Sequence, residues 1–362
     1  IRTGEEKLFY GQINPEQNYT VSFIGEDKKI LIKVITGSEE ENFYLFGDSL
    51  ETLEPITPIN QASFNYVHAD DDGLFFITNL EADNYRLVKI LFADFQMVEV
   101  VPEDNFALKG VSFVNDYLIA DYIDHADMRS AIVFFNHSGE QLDVTLPKSL
   151  RGTIGGFQGI GDDAIMFSVT SYTQPVQYFS FDLTNNSLEL LWEEAIPGFN
   201  PNDYTEVSTN YESKDGTMVP ITYSYKSSTK LNKDTPIFLY AYGGYNISIR
   251  PSFTPKYVAW LEMGGVLAVA NIRGGGEFGK AWHNAGRLGT KQHVFDDFLY
   301  ASKFLESNAI GNRKSTVISG RSNGGLLVGA TLIQNPNYFG AALPAVGVMD
   351  MIRFTEFTEG WG

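Results

Sequence analysis

No cysteine occurs among the 362 residues. That absence excludes disulfides, thiolate metal sites and a cysteine nucleophile. It leaves the compartment open, because disulfide-free proteins occur in every compartment. Positive charge is also scarce: 26 Lys and Arg stand against 45 Asp and Glu, a formal net charge of −19 at pH 7. Such a surface repels phosphate backbones and argues against a nucleic-acid partner. No apolar run approaches the ~20 residues of a membrane-spanning helix, and no basic segment followed by an apolar one marks a signal peptide. The chain starts at Ile1 and stops at Trp361-Gly362 without a closing turn, so truncation at both ends is expected. Apolar and aromatic side chains are plentiful, at 43% and 14%. They exclude a wholly disordered chain and suffice for about two domains.

The first 200 residues hold short strand-like runs and no long helical pattern. Four runs are alike: Lys29–Val34, Leu74–Thr78, Leu118–Tyr122 and Ile165–Val169. Their anchors Ile30, Leu74, Leu118 and Ile165 are spaced 44, 44 and 47 residues apart. Each follows a polar turn: Glu26-Asp27, Asp71-Asp72-Gly73, Asn115-Asp116 and Asp162-Asp163. A companion strand follows each, at Phe43–Phe46, Tyr85–Val88, Ala131–Phe134 and Gln177–Phe181, with starts 42, 46 and 46 residues apart. Strands repeating every 40–50 residues mark propeller blades, whose faces are covered only by stacking on neighbours. A β-sandwich is the alternative, but it shows turns every 8–12 residues without the longer period. The reading is therefore a partial β-propeller of about four blades over residues 1–200, with an N-terminal portion missing.

Loop formers at Pro197–Asp203 set a domain boundary there. Beyond it, Tyr204–Glu212 and Met218–Tyr225 alternate about Lys214-Asp215-Gly216, which predicts a hairpin. Pro236–Ala241, Val266–Ile272 and Ser315–Ser319 read as buried strands, Ala341–Val348 as a further strand, and His293–Leu305 and Leu326–Ile333 as helices. Strands alternating with helices predict a parallel α/β sheet over residues 201–362.

Gly320-Arg321-Ser322-Asn323-Gly324-Gly325 lies between one such strand and one such helix. This is the G-x-S-x-G pattern in the strand–turn–helix setting of a nucleophile elbow. The turn needs small neighbours and lifts the Ser322 hydroxyl above the strand end, with a helix N-terminus behind it favouring negative charge. A helix-entry loop without chemistry is the plainer alternative. Acyl transfer also needs donors where the oxyanion forms. The Asn323 N–H is one by motif logic. The second should come from the loop after an earlier strand, where Tyr242-Gly243-Gly244-Tyr245 allows close backbone approach. At this point Tyr242 or a nearby N–H is the candidate, and a buried tyrosine in a turn is the alternative.

Four runs in order, Tyr242–Ile249, Gly264–Gly279, Gly320–Leu327 and Val346–Met351, resemble the prolyl oligopeptidase branch of the serine peptidases. The resemblance covers everything after about residue 204; the first half matches in pattern rather than motif. It implies an α/β-hydrolase domain, here partial with C-terminal strands missing, joined to a seven-bladed propeller that filters substrate. It implies Ser322 as nucleophile, with the Tyr242 hydroxyl and Asn323 N–H in the oxyanion hole. It places Tyr245, where the family usually has Phe, and Val348 in the proline-accepting pocket. Arg321 departs from the Gly often found there, at the surface of the turn. Arg273 and Glu277 are expected to brace their loop as an ordinary ion pair.

The expected activity is cleavage of short peptides on the carboxyl side of proline, with proline-containing oligopeptides as partners and no metal or organic cofactor. A monomer is expected when complete. A cytoplasmic location is expected, with periplasmic or secreted left open. Alternatives are another serine hydrolase of the superfamily (a dipeptidyl or acylaminoacyl peptidase or an esterase) and a non-catalytic propeller binding module.

The α/β-hydrolase triad runs Ser, then Asp or Glu, then His. The 40 residues after Ser322 hold Asp350, Glu356 and Glu359 but no histidine. Asp350 sits in the Val346–Met351 run, too early for the family's acid. The stacking Trp of the family is expected just past Gly362, so Trp361 is not assigned to it. All five histidines precede the nucleophile; His68, His125 and His137 read as loop or surface residues, and His283 and His293 as structural. The chain by itself is expected to be nearly inactive.

Overall fold

The computed structural model describes residues 17–36 and 41–356. Glu359 and Trp361 lie outside them. The chain divides into two compact units. Described residues up to 82, with 86–100 and 352–356, form one; residues 83–85 and 101–351 form the other.

The first unit carries two antiparallel meanders. One is β1 (Gln17–Ile24), β2 (Lys29–Thr36), β3 (Asn42–Gly47) and β4 (Glu54–Pro55). The next is β5 (Phe64–Ala69), β6 (Gly73–Thr78), β7 (Arg86–Leu91) and β8 (Met97–Val101). They share a core in which Leu31, Phe46, Phe64, Leu74, Phe76 and Ile90 are all buried. The second unit opens with a three-stranded meander, β9 (Leu108–Val114), β10 (Tyr117–Asp124) and β11 (Arg129–Asn136). A four-stranded one follows, β12 (Thr153–Gly159), β13 (Ala164–Thr170), β14 (Gln177–Asp182) and β15 (Ser187–Glu193). Ile119, Phe134, Ile154, Ile165 and Phe181 fill their common core.

These are propeller blades, and the repeat in the sequence is their second and third strands. Ile30, Leu74, Leu118 and Ile165 fall on β2, β6, β10 and β13, each the second strand of its meander. The polar turns close the first hairpin of each. Asp70 Oδ1, for example, accepts the backbone N–H groups of Asp72 and Gly73 between β5 and β6, an Asx-turn that reverses the chain. The third blade departs from the pattern: beyond β11 a single antiparallel bridge, Phe135 to Gln141, stands where the others have a fourth strand.

From residue 204 the second unit builds a six-stranded sheet. Its members are β16 (Tyr204–Glu212), β17 (Met218–Lys226), β18 (Ile237–Tyr240), β19 (Val266–Ala270), β20 (Thr316–Arg321) and β21 (Ala341–Ala345), in the order β16-β17-β19-β18-β20-β21. The hairpin forms in the expected register, with Glu212 opposite Met218. It joins β19 antiparallel, so the sheet is mixed, while β19, β18, β20 and β21 run parallel.

Among the described residues four α-helices accompany the sheet: α1 (Pro255–Glu262), α2 (Gly279–Asn284), α3 (Gln292–Ser307) and α4 (Asn323–Gln334). The periodicity located α3 and α4 and passed over the two short ones. Val294, Phe298, Ala301 and Leu305 put one buried face of α3 on Ile237, Leu239, Val266 and Ala268. Leu267 and Val269 point to the other sheet face, against Leu261 of α1. Covering both faces explains the unbroken apolar run of β19. Residues of β21 are mostly exposed, Leu343 to 50%. Among the described residues no helix is long and apolar enough to cross a membrane.

Candidate active site

β20 delivers the chain to the centre of the parallel strands and α4 carries it away. Between them Ser322 has φ 56° and ψ −119°, a left-handed conformation that a side chain adopts only under constraint. Gly320 makes the turn sterically feasible, since a Cβ there would lie 2.2 Å from the Gly324 carbonyl oxygen. The Ser322 N–H donates to the Ala345 oxygen of β21 at 2.9 Å, and the Ser322 carbonyl accepts the Gly325 and Leu326 N–H groups that open α4. Arg321 and Ser322 are exposed, while Asn323 is buried. The hydroxyl therefore stands at the surface, on the positive end of a helix dipole.

Tyr242 follows β18, the strand beside β20. Its half-buried phenol shares a side-chain hydrogen bond with Ser322. Burial raises its pKa above 10, with the Ser322 bond opposing that rise. The phenol thus keeps its proton and remains a donor at neutral pH. The Asn323 N–H is among the first of α4, which have no acceptor within the helix. The Asn323 side chain is committed elsewhere: its Nδ2 donates to the Tyr242 carbonyl at 2.7 Å. Gly244 makes room for it, as a Cβ there would come within 2.4 Å of that amide.

The structure thus brings Ser322, Tyr242 and Asn323 together. Tyr245, 47% exposed, stands just beyond Tyr242 on the same loop. Val348, half-buried, lies on the segment after β21 whose Gly347 packs against Gly325. Among the described residues, Ser322 has neither a histidine nor a carboxylate partner. His283 Nδ1 lies 2.6 Å from the Gly274 oxygen, and His293 Nδ1 lies 2.9 Å from the Ala285 oxygen. The His125 ring rests on Phe106 and Phe278. No group of three or more His, Asp or Glu side chains among the described residues is arranged to hold a metal.

One expectation is corrected. Arg273 and Glu277 do not pair with each other. Arg273 Nε and Nη2 donate to Asp297 at 2.9 and 2.6 Å, and Nη1 donates to Asp215 at 2.5 Å. The Arg273 bonds hold Asp215 far below the usual carboxylate range. Glu277, also buried, accepts the Ile249 N–H and the Asn271 amide instead, and burial pushes its pKa up. The glycines between them, beginning with Gly274 at φ 91°, turn the chain so that the two side chains face different neighbours.

A residue the sequence reading missed also stands here. Lys291, at the N-terminus of α3, donates from Nζ to the Gly243 oxygen at 2.9 Å and to Asn323 Oδ1 at 3.1 Å. Its contacts are 48 and 32 residues away in sequence, and no motif marks it.

Comparison with known proteins gives a consistent result. The profile described as "Prolyl oligopeptidase, N-terminal beta-propeller domain" matches residues 3–194, and that of the "Prolyl oligopeptidase family" matches 251–361. The prolyl endopeptidase of Elizabethkingia miricola is 34% identical over all of this chain and 51% of its own length. That of Dictyostelium discoideum is 31% identical over 96% of this chain and 49% of its own. A solved prolyl endopeptidase superposes with a TM-score of 0.87 at 32% identity, covering 96% of this chain and 52% of that one. Prolyl oligopeptidase B from Galerina marginata, bound to a 35-residue hydrolysis and macrocyclization substrate, gives 0.89 at 28% identity over 99% of this chain and 52% of its own. The chain spans about half the length of the curated relatives it matches.

Proposed function

Because this chain belongs to the prolyl oligopeptidase family, we propose that the protein is a serine endopeptidase cleaving short peptides on the carboxyl side of proline. The observation that carries the reading is the Ser322 elbow, exposed at the N-terminus of α4 and hydrogen-bonded to Tyr242. We take residues 1–200 as the propeller segment and 201–362 as the catalytic one, which suits the start of the six-stranded sheet at Tyr204.

Ser322 Oγ attacks the carbonyl carbon of the proline residue, and its proton passes to a base. The carbonyl oxygen gains negative charge and is met by the Tyr242 hydroxyl and the Asn323 N–H, which stabilise it more than the ground-state carbonyl. Collapse breaks the C–N bond, the protonated amine leaves with the C-terminal product, and water then hydrolyses the acyl-enzyme. Tyr245 and Val348 are the proposed walls of the proline pocket. Proline suits an apolar site because it brings a compact apolar ring and no N–H to leave unpaired. The base and its acid are not among the described partners of Ser322. Without them the serine is a weak nucleophile, and the 362-residue chain alone should be slower by about 10⁴ or more.

The test uses the natural polypeptide that carries these residues, assayed on fluorogenic peptides differing only at the residue before the cleaved bond. Selective turnover after proline, abolished in Ser322→Ala with the circular dichroism unchanged, is expected. Equal turnover after other residues would favour another serine hydrolase. Absence of Ser322-dependent labelling by a fluorophosphonate would favour a binding module.

A further inference from the structure

We infer that Lys291 is a positioning residue that ties the two sides of the oxyanion hole together and holds a positive charge behind them. The inference rests on the reading of Ser322, Tyr242 and Asn323 given above. Its basis is geometric. One side of the hole is the loop after β18, carrying Tyr242; the other is the first residue of α4, Asn323. The Lys291 ammonium bonds both, through the Gly243 carbonyl at 2.9 Å and Asn323 Oδ1 at 3.1 Å. With the Asn323 amide on the Tyr242 carbonyl, this closes a ring of contacts around the two donors.

Both acceptors of the ammonium are neutral oxygens, and no carboxylate figures among the influences on its pKa, which burial lowers to about 8. A cation withdrawn from water without a counter-charge costs stability. A developing oxyanion would supply the missing charge, and in a site of low dielectric the attraction is large. The titratable groups on the elements around it are Tyr242 and Tyr245 on the loop after β18, Arg287 in the preceding turn, and His293, Asp296, Asp297, Tyr300, Lys303 and Glu306 on α3, while α4 carries none; Asp297 is bound to Arg273. Asp296 is engaged by Lys214 and His293 by the Ala285 carbonyl; Tyr242 titrates above 10. Loss of the Lys291 proton is therefore expected to mark the first alkaline limb, near pH 8.

The test compares Lys291→Met, which keeps length and removes charge, with Lys291→Arg, which keeps charge, in the natural polypeptide. The probe is a fluorophosphonate: a bond forms from Ser322 Oγ to phosphorus, the P–F bond breaks, fluoride leaves, and the serine proton passes to base. Lys291→Met should label about 10- to 100-fold more slowly at saturating probe, with reversible affinity little changed, less than the roughly 10²–10³ lost with a direct oxyanion-hole donor because Lys291 acts through its neighbours. Lys291→Arg should retain most of the rate and lose the alkaline limb near pH 8. Labelling of Lys291→Met at the wild-type rate across pH would overturn the inference. So would an Arg variant as slow as Met with no such limb in the wild type. A Ser322→Ala control that still labelled would instead remove the nucleophile reading on which both depend.

Discussion

Replacing Asp297 with Asn takes away the charge around which the buried end of Arg273 is built. Asp297 is wholly buried and Arg273 nearly so. The carboxylate accepts the Arg273 backbone N–H, Nε and Nη2, and the Ser213 hydroxyl. An amide offers one acceptor oxygen and turns an NH₂ toward donors. Breaking one side of a buried pair costs about 3–5 kcal/mol, because the other charge is left uncompensated. Asp215 still holds Nη1, so about 3 kcal/mol is expected, a large share of the 5–15 kcal/mol that typically holds a domain together. The assay is urea unfolding of the 362-residue chain, followed by far-ultraviolet circular dichroism and tryptophan fluorescence. The double variant Arg273→Met, Asp297→Leu removes both charges and should recover most of the loss, since apolar pairs replace buried ion pairs at little cost. A loss below about 1 kcal/mol in Asp297→Asn, or a double variant no better than the single, would refute this account of the pair.

Tyr242→Phe should lower kcat by about 10²–10³ with KM nearly unchanged, because the phenol acts on a charge present only in the transition state; steady-state kinetics on a proline peptide check it. Gly320→Ala should abolish fluorophosphonate labelling of Ser322, since the added methyl has no room against the Gly324 carbonyl; mass spectrometry of the labelled peptide reads the outcome. Asp215 contributes pH-dependent stability of definite sign. Its pKa is depressed by Arg273, so the contribution is complete above the ordinary carboxylate pKa of about 3.9 and fades as pH falls through the folded value. Asp215→Asn should therefore lower the urea midpoint at pH 6 and change it little at the acid extreme, where wild type has already lost the contribution.

The two inner strands of each blade were legible because burial keeps them apolar: β6 is buried along its whole length. The outer strands were not. β1 and β15 alternate poorly, with most of β15 exposed, and β4 is two residues long. Helix α1 escaped because only Val258 and Leu261 of its eight residues are buried, too few to establish a period. Ser322 and its glycines were legible as local geometry written into local sequence. Arg273 was misassigned for the opposite reason. Its partners Asp215 and Asp297 lie 58 and 24 residues away, and proximity in sequence suggested Glu277 instead. Lys291 joined the site only once the fold had placed Gly243 and Asn323 on either side of it.

Asn323 divides its duties between its two halves, and that division governs how mutations there must be interpreted. Its backbone N–H is the proposed oxyanion donor, and no natural substitution other than proline deletes it. The side chain holds the Tyr242 carbonyl and receives Lys291. A slow Asn323→Ala enzyme would therefore report a loosened neighbouring loop with both donors still present. Short of proline, codon changes at this position can alter the tension of the site but not its inventory.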